Sequence, residues 1–400
     1  MVFLICAGIL PGAWPAAFAD TGPQQTLAGI DVLQRDGFGL LEGGRVGLIT
    51  NHTGRGIDGR STARILHQAP GVNLVALFSP EHGLEGRLDI PEIGDGEDRE
   101  TGLRVFSLYG ESRRPTPAML DGIDVLVFDI QDIGTRFYTY ISTLGMAMEA
   151  AAVQGIRFVV LDRPNPINGV AVAGPVADPG REAFVAFHRL PVRHGMTVGE
   201  LARMVRGERE LDLDLEVVAL ENWRREKYFD ATGLRWVNPS PNMRSLAQAL
   251  LYPGIGLLET TNLSVGRGTD TPFEVFGAPW LDGDAFAWKL NRLGLPGVVF
   301  VPVGFTPDAI TFAGEPCGGV NVIVVDRSVF DPVRTGLEIA LQLRLHYPDD
   351  WDMTSFDRLL VNAGTFQMVR EGRAFAIIED AWAEELQRFR QRRSRFLIYP

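Results

Sequence analysis

The stretch Asp124-Val125-Leu126-Val127-Phe128-Asp129-Ile130 is apolar at successive positions and runs straight into Gln131-Asp132. A strand with one face in water alternates apolar and polar residues, so an unbroken run of this length asks for cover on both faces, as in a parallel sheet. Arg45 to Thr50, Asn73 to Phe78 and Arg157 to Leu161 repeat the pattern, and the helical segments Thr62 to Gln68 and Ser142 to Gln154 fall between them. Strands alternating with helices predict a doubly wound, Rossmann-like α/β domain. A further strand, Leu215 to Leu220, follows a helix Val198 to Arg206, which starts after Thr197 with Glu200 at capping-box spacing.

The texture changes at Asn238-Pro239-Ser240-Pro241-Asn242, which suits neither a helix nor a central strand. A domain boundary is placed there, giving a Rossmann-like domain over 27–238 and a smaller α+β domain over 239–400. The second domain is expected to hold a helix near Leu246 to Leu251, strands Gly297 to Val303 and Gly319 to Asp326, and helices Val333 to His346 and Asp380 to Arg392. Polar, Gly-rich segments on either side of the boundary point to a cleft between the domains.

With 400 residues, 46% of them hydrophobic, the chain can bury a large core, and its formal charge of -12 argues against a nucleic-acid surface. Val2 to Leu10 is an apolar run, and Ala17-Phe18-Ala19 before Asp20 has the small-x-small pattern of a signal-peptidase site, so residues 1–19 read as a cleaved export signal. That run is too short to span a bilayer, and no integral membrane association is expected. Cleavage would remove Cys6 and leave Cys317 without a disulfide partner.

Ligands of open α/β sheets sit outside the carboxyl ends of the strands. Here those ends carry Asn51-His52-Thr53, Glu81-His82, Asp129-Gln131-Asp132 with Arg136, and Asp162-Arg163 with Asn165. Such loops are often polar because they cap helices, but four of them together point to one site with carboxylates available for acid–base work. Two more segments offer polar groups: Ser240 and Asn242 on the boundary loop, and Glu259, Asn262, Arg267 and Thr269 in a Gly-hinged loop. Gly54-Arg55-Gly56-Ile57-Asp58-Gly59 matches a dinucleotide-binding Gly pattern, which would make the chain an oxidoreductase. Three polar residues separate it from the strand end, however, so it lacks the tight turn that brings a pyrophosphate to the helix N-terminus. No metal-binding spacing and no Gly-x-Ser-x-Gly elbow occurs, and no metal or other cofactor is expected.

Six strings then make a family resemblance: Ser-Pro-Glu-His-Gly at 79–83, Val-Phe-Asp-Ile-Gln-Asp-Ile-Gly-Thr-Arg-Phe-Tyr-Thr-Tyr at 127–140, Leu-Asp-Arg-Pro-Asn-Pro at 161–166, Arg-His-Gly-Met-Thr-Val-Gly-Glu-Leu-Ala at 193–202, Pro-Ser-Pro-Asn-Met at 239–243 and Asn-Leu-Ser-Val-Gly-Arg-Gly-Thr at 262–269. Over residues 29–399 the chain resembles the bacterial exo-β-N-acetylmuramidases. The resemblance implies a Rossmann-like domain without a nucleotide, an ancillary domain, and a cleft that takes a terminal N-acetylmuramic acid from a peptidoglycan fragment. Leu84-Glu85 departs from the family pattern, which has an aromatic and then a basic residue there.

Glycoside hydrolysis needs a proton donor and either a second carboxylate or the substrate's own acetamido group. Glu81 is assigned as the acid, with His82 beside it to tune it, and Asp129, Asp132 and Glu259 compete for the second role. Arg136 and Arg267 are the candidates to fork the lactyl carboxylate that distinguishes muramic acid. Tyr138, with Tyr140, is expected to stack on the sugar or bond its hydroxyls, and Asn51, Asp162, Asn165, Ser240, Asn242, Asn262 and Thr269 complete the expected substrate contacts. The rival readings are a non-catalytic muropeptide-binding protein and the nucleotide-dependent oxidoreductase.

Overall fold

The computed structural model describes residues 25–400, so the expected export signal lies outside the described residues. The first domain is built on strands β1 (Arg45–Thr50), β2 (Asn73–Ser79), β3 (Gly96–Glu97), β4 (Arg104–Ser107), β5 (Val125–Asp129), β6 (Arg157–Leu161) and, after a hairpin of β7 (Ala173–Val176) and β8 (Pro191–Arg193), β9 (Leu215–Val218). The sheet order is β3-β4-β2-β1-β5-β6-β9, parallel throughout except for the short edge pair β3–β4. Counting its parallel strands alone gives 3-2-1-4-5-6, the doubly wound order whose crevice opens between β1 and β5.

The apolar runs are explained by their two covers. Val125 and Val127 enter one buried cluster with Ile30, Leu33, Ile65 and Leu66, from helices Gly29–Arg35 and Thr62–Gln68. Leu126 and Phe128 enter another with Leu144, Met148 and Leu201, from helices Tyr140–Gln154 and Val198–Glu208. Period-2 geometry sends alternate residues to opposite faces, so a strand covered on both must be apolar throughout. The capping box forms as expected, Glu200 N donating to Thr197 Oγ1 and the Thr197 amide to the Glu200 carboxylate.

The second domain pairs helices Leu246–Ile255 and Pro332–His346 with an antiparallel sheet of β10 (Val275–Ala278), β11 (Val298–Phe305) and β12 (Cys317–Val324), in the order β10-β12-β11. Those two helices cross closely because glycines meet: a Cβ on Gly336 would stand 2.4 Å from the Gly254 carbonyl oxygen. The closing helix, Phe375–Ser394, extends farther toward the N-terminus than its sequence pattern predicts and packs on β7 of the first domain.

Beyond that helix the tail turns back into the first domain. Ile398 N donates to Glu200, Tyr399 donates its hydroxyl to Asp162 at 2.5 Å, and Arg225 N donates to the Pro400 carbonyl. An edge-on aromatic series, Tyr138–Tyr252 and Tyr252–Phe273, joins the domains from the other side. Together these contacts join the domains through buried packing, and the cleft between them is bounded by loops.

Candidate active site

At the end of β2, Glu81 is partly exposed and its partners are hydroxyls rather than cations. Thr139, just before helix Tyr140–Gln154, donates its hydroxyl to the Glu81 carboxylate. The Tyr109 hydroxyl, from the turn after β4, faces the same group, and burial with that neighbouring negative charge pushes its ionisation up to about 12. Tyr109 therefore stays protonated as a fixed donor.

Across from Glu81 stands a wall of polar groups whose hydrogen bonds are incomplete. Asn51 uses its amide oxygen to hold the β1 turn, accepting from Thr53 N at 3.0 Å, and its Nδ2 is buried without a partner. Tyr140 donates to the Pro239 carbonyl at 2.6 Å, and its ring meets Tyr138 edge-on at 5.0 Å between centroids. The Tyr138 hydroxyl, next to Ser240, is also buried and unpartnered. Asp132 accepts from Gly134 N at 2.7 Å through Oδ2 and leaves Oδ1 unpartnered. His194 accepts from Met196 N at 3.2 Å on Nδ1, which makes Nε2 the protonated nitrogen of the neutral ring, and that Nε2 lies 3.6 Å from Asp132. Buried polar atoms are normally paired, so a cluster left open marks a place built for a polar ligand or water.

Next to this wall is a cavity of about 640 Å³, with Asn51, His52, Arg87 and Ser240 among its lining residues. His52 anchors its floor through a 2.6 Å contact between Nε2 and the Asn238 carbonyl. Gly86 lies over that ring at φ +65°, where a Cβ would come within 1.8 Å of it. Arg267, in turn, gathers carboxylates. It donates through Nη2 to Asp89 at 2.7 Å and through Nη1 to Glu259, while Nε is buried without a partner. Asn242 donates to Asp89 at 3.1 Å. Burial pushes the Glu259 carboxyl above its ordinary range against the pull of Arg267.

Several residues expected in the site lie elsewhere. Arg136 is fully buried and spends its guanidinium on the carbonyls of Pro175, Leu190, Leu359 and Leu360, so it ties the two domains together and cannot fork a ligand. Burial pushes it down to about 9 against the opposing pull of Asp178 and Asp357. Asp129 is sealed between Thr62 Oγ1 at 2.5 Å and the Arg163 fork at 2.5 and 2.9 Å, so it braces β5 against β6 and offers no free oxygen for catalysis. Asp162 accepts from Thr197, Gly199 N and Tyr399, and Asn165 bonds the Met196 carbonyl and Ile167 N. Both are internal braces of the fold, their polar atoms engaged by the protein itself. Asn262 bridges the Asp350 carbonyl and Asp352 N, and Thr269 caps its own turn at Gly266. His82 has φ 70° and its Nδ1 lies 2.7 Å from the Leu88 carbonyl, so the ring staples the following loop.

Sequence reasoning did not single out Tyr109, Thr139, Asp89 or His194 as site residues. Tyr109 escaped because β4 is a four-residue edge-side strand that was not read from its pattern. Thr139 and His194 stand inside quoted family strings, and proximity to a strand end was the signal that could have singled them out. Among the described residues, no group of three or more His, Cys, Asp or Glu is placed to hold a metal ion, and no helix is long and apolar enough to cross a membrane.

Comparison with known proteins places this arrangement. Residues 46–247 match the N-terminal domain, and residues 250–399 the C-terminal domain, of the family described as exo-beta-N-acetylmuramidase NamZ. The peptidoglycan beta-N-acetylmuramidase NamZ of Bacillus subtilis strain 168 is 44% identical over 375 residues, spanning 93% of this chain and 91% of that protein. Two crystal structures of DUF1343 family proteins from Bacteroides fragilis are similar. One has TM-score 0.88 at 40% identity, covering 94% of this chain and 99% of the other, and the second has TM-score 0.77 at 30% identity with the same coverages. Matched over nearly its whole described length by both family domains, the chain belongs to the exo-β-N-acetylmuramidase NamZ family.

Proposed function

We infer that the protein is an exo-acting glycoside hydrolase that releases β-linked N-acetylmuramic acid from the non-reducing end of peptidoglycan fragments. The observation that carries the assignment of roles is the contrast among its carboxylates. Of the candidates, Glu81 alone is both partly exposed and free of a cationic partner. Asp129 is locked by Arg163 and Glu259 by Arg267, so both carboxylates are already engaged in ion pairs.

Glu81 is the proton donor to the leaving glycosidic oxygen, held by Thr139 and Tyr109 and partly exposed at the end of β2. Asp132 takes the second role: its unpartnered Oδ1 accepts a hydrogen bond from the group that attacks the anomeric carbon or positions the attack, with His194 behind it. Asn51, Tyr138 and Ser240 bind the sugar's polar groups, and Arg267 receives the lactyl carboxylate. The test is incubation of the pure protein with a defined N-acetylmuramyl-N-acetylglucosamine disaccharide, without added cofactor. Release of free N-acetylmuramic acid is expected, and tight binding without sugar release would favour the non-catalytic reading.

Export is part of this proposal, because the apolar run Val2 to Leu10 and the Ala17-Phe18-Ala19 site precede the described residues. N-terminal sequencing of the protein recovered outside the cytoplasm should begin at Asp20.

A further inference from the structure

We propose that Asp89 is the resident counter-carboxylate of the Arg267 clamp, a specificity-determining residue that the substrate's own carboxylate displaces. The inference rests on the reading of Arg267 as the lactyl clamp. Arginine meets a carboxylate best along the edge formed by Nε and one Nη, where two parallel N–H groups match two oxygens. In this protein Asp89 reaches that edge with one oxygen. Its Oδ2 takes Nη2 at 2.7 Å, and the adjoining Nε is buried with no partner. Asn242 adds a second donor at 3.1 Å to the same oxygen. A carboxylate from the first domain thus half-fills a position whose geometry is complete for two oxygens.

Charge decides which group must leave when a second carboxylate arrives. Arg267 already faces two carboxylates, Asp89 and Glu259, and a third would leave one cation among three anions in a partly desolvated pocket. Glu259 belongs to a helical turn, Gly256–Thr260, beneath the cleft. Asp89 belongs to an irregular segment, flanked by Leu88 and Ile90 at 44% and 49% exposure and stapled by the contact of His82 to the Leu88 carbonyl. Asp89 is therefore the carboxylate that gives way. A sugar carrying a carboxylate exchanges one ion pair for a better one. A sugar lacking it has nothing to offer Arg267 in return, so Asp89 stays and selectivity follows.

The test is calorimetric titration of N-acetylmuramic acid and N-acetylglucosamine into the wild-type protein, Asp89→Asn, Asp89→Ala and Arg267→Met, with a thermal melt to establish that each variant is folded. Asp89→Asn and Asp89→Ala should bind N-acetylmuramic acid about fivefold more tightly, the factor by which a partly exposed ion pair competes, with N-acetylglucosamine within about twofold of wild type. An equal shift for both sugars would make Asp89 a steric cover. No shift, or weaker binding of N-acetylmuramic acid, would also overturn the proposal. The clamp reading itself fails separately, if Arg267→Met keeps the wild-type preference for N-acetylmuramic acid, and the Asp89 proposal then falls with it.

Discussion

Asp129 and Asp132 stand three residues apart at the end of one strand, in opposite circumstances. Asp129 has its acceptors filled by Thr62 and the Arg163 guanidinium, and nothing about it would improve if a ligand arrived. Asp132 has one oxygen on Gly134 N, a second with no partner, and a histidine just beyond hydrogen-bond reach. Residue type and burial are the same in the two, so neither predicts which of them does chemistry. The state of their hydrogen bonds does: a satisfied buried charge stiffens the fold, and an unsatisfied one is held ready for something not yet bound.

That comparison can be broken most sharply at Glu81. Glu81→Gln should lower kcat/KM on the disaccharide about 10³-fold, the scale of a lost general acid, with a melting temperature near wild type because no ion pair is broken. Arg163→Met tests the braced side. It strands the Asp129 charge in the interior and should cost about 4 kcal/mol in denaturant unfolding, with activity per folded molecule retained. Asp132→Asn should lower kcat about 10²-fold with little effect on stability, and a larger loss of stability than of turnover would place Asp132 with Asp129 among the braces. Tyr399→Phe removes a hydroxyl that donates to Asp162 and accepts from Leu220 N, and should cost about 2 kcal/mol in the same unfolding measurement.

The smallest expected effect is one of pH. Burial works against the ionised Glu208 carboxyl, but His188 and Arg392 outweigh it and hold the group down to about 2. A folded value below the unfolded one means that this stabilisation is present above roughly pH 4.5 and fades as pH falls toward 2. The fall in unfolding free energy between pH 7 and pH 3 should therefore be larger for wild type than for Glu208→Gln.

Much of the fold was legible in the sequence because a parallel strand advertises its two covers locally, as Val125 to Phe128 do within four residues. Helix starts were legible for the same reason, Thr197 and Glu200 being neighbours in the chain. Which carboxylate is braced was not legible, because the bracing groups are remote. Arg163 lies 34 positions from Asp129, Tyr399 lies 237 from Asp162, and the carbonyls that absorb Arg136 lie as far as 224 away. The strand-end rule located the site but counted Asp129, Asp162 and Arg136 as chemistry, when folding uses them to hold the sheet and the two domains together.

The tail that re-enters the first domain also bears on how the molecule is made. Domains usually fold in the order in which they emerge from the ribosome. Here the hydroxyl partner of Asp162, the carbonyl partner of Arg225 and an amide partner of Glu200 all belong to residues 398–400, which emerge after the elements of both domains. The Rossmann-like half cannot reach its final stability until the second domain and residues 398–400 have been made. Removal of residues 398–400, far from Glu81 in sequence, should be felt in the domain that carries it.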